Sequence, residues 1–565
     1  MSKIQAPNLV TLEYQISQLP SSQHRAGLAG LILKIQWLQQ QAEFKDSIGA
    51  ICKIIGLDAD KATLQFNLAG ITLLFRSHYN AVLEERESTK IRPNGSKNYL
   101  TIEREVYAPD TDRTELVKSY IYQDLIPTGL LIQSFDPTVN DSQIWTKLWQ
   151  EATWGVLRPR EKQRLPFKAI VGGTDPPEID RIWKLLRDRP DEIVPLSSTQ
   201  MLGVQRANNE EMSFTDRASN YFLLYFWSYV AQIYLPFQVD IKDNVEFHGY
   251  AIAIPDVCNL VAFCQHFPAI LQQRSTKIRW KKPDGAIVRH PIEVGLFFLR
   301  SIHTYLCANI DDLDIGNLLF GVDVFHIFRK KHEPQILRIQ RYPPNKEKIE
   351  EFTQLEHKIF DPIFRLQYWE NLICDRPRIT GFDKLLWDLP FAKTIGNKWF
   401  CRDFRTLFHS QYNPMEPEEL EAEDSIESSE LNESQSESNE QSESPESKEI
   451  SLEALILRLL KTYTRQRLKY FGIEWNKEWE EQTSEIRSQN TNYQAYKQKR
   501  TQIVRDLHID FRRYRHPNEF LAYFASKFTG VSQYLTTKEY LFLAEQIQAQ
   551  PDRIKILCLL ALPAV

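Results

Sequence analysis

MEPEELEAEDSIESSELNESQSESNEQSESPESKE, residues 415–449, is the stretch that divides this chain. From Glu416 onward it holds fourteen acids against one lysine, a net charge of −13. It has no aromatic residue and almost no large apolar one. Ordering it would bury too little surface to offset the lost conformational entropy, and its like charges repel. It reads as a disordered linker. The formal net charge of the whole chain is only −5. The 116 residues after the linker therefore stand out as basic, with eighteen Lys and Arg against twelve acids, while residues 1–415 carry a net of about +2.

After the linker, ISLEALILRLLKTYTRQRLKY places Leu452, Leu455, Ile456, Leu459, Leu460 and Tyr463 at helical spacing. Arg458, Lys461, Arg465 and Lys469 follow at intervals of three or four on another face, a basic stripe. A second long helix is expected through NYQAYKQKRTQIVRDLHIDFRRYR, carrying Arg512, Arg513 and Arg515, with Ile503, Leu507 and Tyr514 inward. Pro517 suits a helix start, with Phe520, Leu521, Phe524 and Phe528 inside, and two more helices follow. This part is a small helical bundle.

Before the linker the patterns are mixed. ATLQFNLAGITLLFRS, YLTIEREVYAP and GVDVFHIFRKKHEPQILRIQRY read as strands or hairpins, the last with a basic tip. QIWTKLWQEATWGVL and DRIWKLLRD read as helices, and YFLLYFWSYVAQIYLPF (221–237) as a buried helix ended by Pro236. Strict βαβ alternation and internal repeats are missing. The fold class is α+β: an irregular mixed body over 1–414, a linker over 415–449 and an all-α helical bundle over 450–565.

Composition narrows the function. No run is long and apolar enough to span a bilayer, and nothing at the N-terminus reads as a signal peptide. Seven scattered cysteines, an odd number, point to reduced thiols in a cytoplasm. Catalytic motifs are missing: G-x-S-x-G, H-E-x-x-H, the phosphate-binding G-x-x-x-x-G-K-[ST] and G-x-G-x-x-G do not occur. Cys258, Cys264 and His266 lack zinc spacing and read as core residues. His508 and Asp510 face different directions on a helix. No catalytic residue, metal site or cofactor is expected.

Basic loops are the productive feature. GVLRPREKQRLPFKAI sets Arg158, Arg160, Lys162, Arg164 and Lys168 among Pro159 and Pro166. The prolines disfavour regular structure, so an exposed loop contacting phosphates is expected, against the plainer reading of a solvated loop. RWKKPDGAIVRH, with Lys281 and Lys282, and IFRKKHEP, with Arg329, Lys330 and Lys331, put cations at turn tips beside aromatics. IRPNGSKNY offers Asn94, Lys97 and Asn98 on a Gly-containing turn. Such a turn could read base edges in a groove, or be an ordinary hairpin turn.

One helix needs a separate explanation. LPSSQHRAGLAGLILKIQWL (19–38) concentrates Ala26, Gly27, Ala29 and Gly30, and each glycine costs about 1 kcal/mol relative to alanine. The stretch resembles the N-terminal signature L-P-x-x-Q-H-x-A-G-L-A-G-L of the large subunits of Myxan-type CRISPR–Cas systems, related to subtype I-B. Leu19, Pro20, Gln23, His24, Ala26, Gly27, Leu28, Ala29, Gly30 and Leu31 fit that pattern. WGVLRPREKQRLPF is similar to that family's Arg-rich loop.

The resemblance implies a non-catalytic large subunit of Cascade, the crRNA-guided surveillance complex. Its expected partners are crRNA, target double-stranded DNA, the Cascade backbone and handle-binding subunits, and a helicase-nuclease or transposition adaptor. It would recognise the protospacer-adjacent motif (PAM) and support strand opening and R-loop formation. The alternatives are a metal-dependent nuclease and a purely structural subunit. The resemblance further implies that the bundle is like the Cascade small subunit, with extra copies made by internal translation from Met415. The small face of Ala26, Gly27 and Gly30 is expected to press on a neighbouring protein backbone.

Overall fold

Burial alternates residue by residue along Val10–Gln15, the period of a strand with one face inward. That strand pairs antiparallel with Lys61–Phe66, which pairs in turn with Cys52–Leu57. The computed structural model describes residues 9–88, 99–108, 113–138, 143–197, 199–204, 214–239, 245–310, 313–330, 333–412, 451–476, 479, 489–514 and 516–565. These form two compact units, Met1–Thr353 and Gln354–Val565.

In the first unit the main sheet runs Val245–Phe247, Gln232–Val239, Tyr250–Val257, Leu319–Lys330, Glu333–Tyr342 in spatial order, and Ile287–Val288 also pairs with Gln232–Val239. Tyr250–Val257 is buried at seven consecutive positions. Both of its faces must therefore be covered, since successive side chains point to opposite sides. The helices Ser22–Gln40 and Val294–Asn309 pack against it. A smaller sheet sets Arg113–Pro127 between Ala81–Ser88 and Tyr99–Ala108.

Several expectations change. ITLLFRS is helical, within Leu68–His78, because Asn67 starts a helix there: its Oδ1 accepts from Gly70 N at 2.8 Å. A short apolar run does not by itself distinguish strand from helix. Residues 221–237 are not one helix either. Ala218–Leu223 is helical, Trp227–Tyr229 is a 3₁₀ turn and Gln232–Val239 is a strand. The hairpin over 319–342 forms as expected, in register from Val322↔Tyr342 to Lys330↔Glu333.

The second unit is helical: Pro362–Ile373, Phe382–Asp388, Lys398–Tyr412, Leu452–Tyr470, Thr491–Arg513, Pro517–Phe528, Thr537–Ala549 and Pro551–Ala561. The helices before the acidic stretch thus belong with those after it, which differs from the division at 414. His508 Nε2 meets the Leu386 carbonyl at 2.8 Å in the buried interior, and Arg512 donates to the Leu389 carbonyl at 3.5 Å. Phe364, Phe382, Phe400 and Phe404 form one aromatic cluster of the core. The acidic stretch itself lies outside the described residues.

Candidate nucleic-acid interface

The glycine-rich helix is a brace. A Cβ on Gly27 would lie 2.3 Å from the Leu223 carbonyl oxygen, and one on Gly30 2.2 Å from that of Phe226. Protein backbone is therefore what the small face meets, as expected. At the helix start Gln23 pairs with the Leu202 peptide in both directions, donating to its carbonyl at 3.0 Å and accepting from its N–H at 2.8 Å. His24 sits between Ser21 Oγ at 2.8 Å and Asp216 Oδ2 at 2.9 Å. This first motif thus holds residues 200–204 and 214–226 on the helix.

The basic run that follows Trp154 is more ordered than its prolines suggest. A π turn over Thr153–Leu157 leads into a 3₁₀ turn at Glu161–Arg164 and a helix at Leu165–Val171, with Pro166 tolerated in the first turn. Its cations separate into two groups. Arg160, Lys162 and Lys168 are exposed, Lys168 pairing with Glu161 at 2.6 Å. Arg164 lies over the Trp154 ring, 4.6 Å from its centroid, and donates to the carbonyls of Arg158 at 3.0 Å and Trp154 at 3.2 Å. Arg158 is only 8 % exposed, which corrects the expectation of a uniformly exposed loop. The turn directs it inward, towards Tyr79, 5.8 Å from the ring centroid.

Arg158 lines a cavity of about 20 Å³ with His78, Trp149, Thr153, Tyr225, Trp227 and other residues. Among the described residues no carboxylate lies within ion-pair distance of its guanidinium. Glu178, which accepts from the Tyr79 hydroxyl at 2.8 Å, makes no ion pair with it. A second buried cation stands nearby. Lys34 is 0 % exposed, with Nζ 4.2 Å from the Trp37 ring centroid and 5.3 Å from that of Tyr229. Burial pulls its ammonium down to about 7. His78 Nδ1 meets the Tyr229 hydroxyl at 2.8 Å. Burial, with Arg158 and Lys34 close by, holds this imidazole well below its usual value, so it is neutral near pH 7. Burying an unpaired ion costs several kcal/mol, whereas a cation–π contact returns about 0.5–2 kcal/mol. Lys34 also donates to the Ser77 carbonyl at 3.4 Å, a neutral acceptor that offsets only part of this cost.

Three segments distant in sequence meet in this unit: residues 151–155, ahead of the basic run, the turn at Trp280–Lys282 and the long hairpin. Lys282 is half-buried and ion-paired to Glu151 of the helix Ile144–Ala152. The adjacent Trp280 and Lys281 both take left-handed backbone conformations, φ 49° and 62°, as the two central residues between Ile278–Arg279 and Lys282–Pro283. Such two-residue turns usually carry Asn and Gly, so an aromatic and a lysine there are held under strain. Trp280 is partly exposed, with Arg279 over its ring at 4.2 Å and Phe237 at 5.1 Å. The third segment is the long hairpin. Tyr250 pairs across the sheet with Ile327, two residues before the exposed Arg329, and its ring lies 3.7 Å from where a Cβ of Gly155 would be. Lys330 ends the described strand, and Lys331 lies outside the described residues.

Asn94, Lys97 and Asn98 also lie outside the described residues. The strands that flank them, Ala81–Ser88 and Tyr99–Ala108, sit on opposite sides of Arg113–Pro127. Those two strands are therefore not paired with one another.

In the helical unit the expected stripe falls on one helix, Leu452–Tyr470. Arg458, Arg465 and Lys469 are exposed and Lys461 is half-buried. Arg458 pairs with Glu539 and Lys469 with Glu474 at 3.7 Å. Arg513 is exposed, Arg512 is half-buried, and Arg515 is outside the described residues.

Family models match nearly the whole chain: the Type I-B CRISPR Cas8b N-terminal domain over residues 51–312 and the Type I-B CRISPR Cas8b C-terminal domain over residues 319–565. The chain belongs to the type I-B CRISPR Cas8b family. A comparison with curated proteins gives no match. Cas8b is the large subunit of the type I-B Cascade complex, which works with crRNA and DNA. The resemblance carried by residues 19–31 agrees with this at the level of the subtype.

Against the Cas8b assignment, the structure adds residues that sequence reading missed. Lys34, His78, and Tyr225 with Trp227, gather around Arg158 from three separate segments. No spacing along the chain links them. The one available signal was a lysine in the middle of the apolar run GLILKIQWL. Among the described residues no group of three His, Cys, Asp or Glu is placed to hold a metal ion, and no helix is long and apolar enough to cross a membrane. Cys258 and Cys264 bond separate carbonyls, Gly316 at 3.4 Å and Ala29 at 3.7 Å.

Proposed function

We propose that this Cas8b subunit reads the PAM on duplex DNA and supports target-strand unwinding, acting as a non-catalytic part of Cascade. The observation that supports this reading is the meeting of residues 151–155, which lead into the 160–168 run, with the Trp280–Lys282 turn and the strand of the Arg329 hairpin. Exposed cations suit phosphates, while an exposed aromatic on a rigid turn suits contact with unstacked bases. Asn94, Lys97 and Asn98 are further candidates for base reading. The basic stripe of the helical unit would contact target or displaced DNA. A helicase-nuclease or a transposition adaptor would then be recruited to the opened target.

The test uses the assembled complex and a library of flanking motifs. Alanine at Trp280 or Asn94 should relax the preferred motif if that residue reads bases. Alanine at Arg160, Lys162, Lys281 or Arg329 should weaken all targets alike if these hold phosphates. No change in motif or affinity from any of them would refute the reading in favour of a purely structural subunit. Cleavage of DNA by the purified chain with a divalent metal would favour the nuclease alternative.

A second reading concerns Met415, from which internal translation would yield a separate small-subunit-like product of residues 415–565. Such a product would lack the Leu386 and Leu389 carbonyls that meet His508 and Arg512, so it would have to repack. Expressing the native gene with a C-terminal tag, with and without the Met415 codon, tests for it by mass spectrometry. Its absence from the native gene would sink the idea.

A further inference from the structure

We propose that the ring pair Phe360–Trp399 of the helical unit is a binding site for single-stranded nucleic acid, stacking an unpaired base beside the cations Lys358, Lys398 and Arg402. The two rings are stacked, 5.4 Å apart between centroids at 22°, yet Phe360 is 41 % exposed and Trp399 42 %. Single exposed apolar side chains are ordinary, whereas two large rings stacked in water leave apolar area that a core would have covered. The pair is also held in place from beneath. Buried Asp403 accepts from the backbone N–H groups of Phe360 and Asp361, each at 2.7 Å. Buried Asp361 accepts from Asn397 Nδ2 at 2.7 Å, and Asn397 Oδ1 accepts from the Trp399 backbone N–H at 3.0 Å. One hydrogen-bonded chain therefore fixes the backbones that carry both rings, so no ordering cost falls on binding there.

The charges around the rings choose the ligand. Arg402 lies over the Phe360 ring at 4.0 Å and 5.2 Å from the Trp399 centroid, and Lys398 Nζ stands over the Trp399 ring at 4.6 Å. Arg402 is anchored to the Lys358 carbonyl at 2.6 Å and to Asp403 at 3.1 Å. Lys358 and Lys398 are exposed, and among the described residues neither is paired with a carboxylate. Lys398 opens the helix Lys398–Tyr412, the end at which the helix dipole disfavours a cation, so helix stability does not account for it. Cations alone would suit duplex phosphates or an acidic protein. Exposed rings narrow the choice, because the bases of a duplex cover one another, whereas a single strand offers a base face to a ring and its phosphates to the cations beside it. Cascade works with crRNA and DNA, so strands of both kinds lie within its chemistry. The ring pair shares no residue with the motif-reading surface or with the basic stripe, and the proposal rests on neither.

The experiment titrates the full chain with a single strand of about ten nucleotides, as DNA and as RNA, and with an abasic DNA strand of the same length. None carries a flanking motif, so the outcome is separate from that of the motif library. The wild type should bind the base-bearing strand roughly 5-fold or more tighter than the abasic one. Trp399→Ala and Phe360→Ala should each remove most of that preference and leave abasic binding unchanged, while Trp399→Phe, which keeps a ring, should retain it. Lys398→Gln should weaken both strands alike and lower the log–log salt slope by about 0.7. The DNA and RNA strands separate the sources, and stacking of either supports the proposal. It is overturned if the wild type binds base-bearing and abasic strands equally, or if both alanine variants keep the wild-type preference. Loss of the Trp399→Ala chain from the assembled complex, with its strand preference intact, would assign the rings to a protein partner and also overturn it. Should the alanine variants fail to fold, a strand carrying 5-iodouracil is crosslinked to the wild type. Crosslinks at Phe360 or Trp399 support the proposal, and their absence from the crosslinked peptides overturns it.

Discussion

Two helices of nineteen residues each, Ser22–Gln40 and Leu452–Tyr470, achieve burial by opposite routes. The first is buried at fourteen positions, including Gln23, His24 and Lys34, and touches neighbours all round. The second is buried at eight, chiefly along one apolar face, and leaves Arg458, Arg465 and Lys469 to solvent. A helix wrapped on every side cannot be read by period, because it has no polar face. Its small and polar residues instead record what each touches. An amphipathic helix reports its buried face directly but says little about its exposed cations, which serve solubility and DNA equally well.

The sharpest way to break the comparison is Gly30→Val. Helix propensity alone would tolerate the change, but the Cβ would lie 2.2 Å from a backbone oxygen that cannot swing away. Destabilisation of the first unit by about 3 kcal/mol is expected, read as lost hydrogen-exchange protection along Ser22–Gln40. Lys469→Ala, at an exposed position of the second helix, should stay within about 0.5 kcal/mol. Equal effects would mean that the first helix is not held as described.

Next comes Gln23→Leu. It removes the partner of both the N–H and the carbonyl of Leu202, two groups in a buried setting. A loss of about 2–3 kcal/mol is expected, with residues 199–204 the first to gain exchange. Retained protection there would show that water replaces the amide.

A smaller effect tests the buried lysine. Lys34 is held down to about 7 in the folded chain, against 10.5 when exposed. Between these values the unfolded state binds more protons, so its contribution to stability rises with pH across that window. Below pH 7 both states are charged and the full penalty stands. Lys34→Met should therefore stabilise the first unit more at pH 6 than at pH 9, the difference being about 2 kcal/mol, measured by thermal unfolding at both values. A gain independent of pH would show that Lys34 is neutralised by a partner.

The smallest effect sharpens the other side of the comparison. Arg465→Ala with Lys469→Ala should leave stability nearly unchanged. Each lost phosphate contact should lower the log–log salt slope of DNA binding by the complex by about 0.9 for duplex or 0.7 for single strands. An unchanged slope would assign the stripe to solubility.

Much of the helical unit was legible because its helices are amphipathic and capped by local chemistry. Ser451, Asn490 and Thr536 accept from the first turns of their helices, and Pro517 and Pro551 open two others. The hairpin over 319–342 was legible from its alternation. The helix over 71–78 was not, because Asn67 decided it through one hydrogen bond while the apolar run itself fits either period. The division at Thr353 was hidden too, since His508 and Arg512 reach carbonyls more than a hundred residues away.

The sequence by itself determined where the acidic stretch interrupts the chain, the helical class of the C-terminal part, and the glycine pair that demands a close backbone. Each of these follows from composition or from periods within a few turns. The tertiary structure alone decided which cations face water. Arg158 and Arg160 stand two residues apart in one basic run, and one is buried among aromatics while the other is exposed. Charge is a property of the residue. Its burial is set by the π turn at Thr153–Leu157 and by Lys34, His78 and Tyr229, which arrive from elsewhere in the chain.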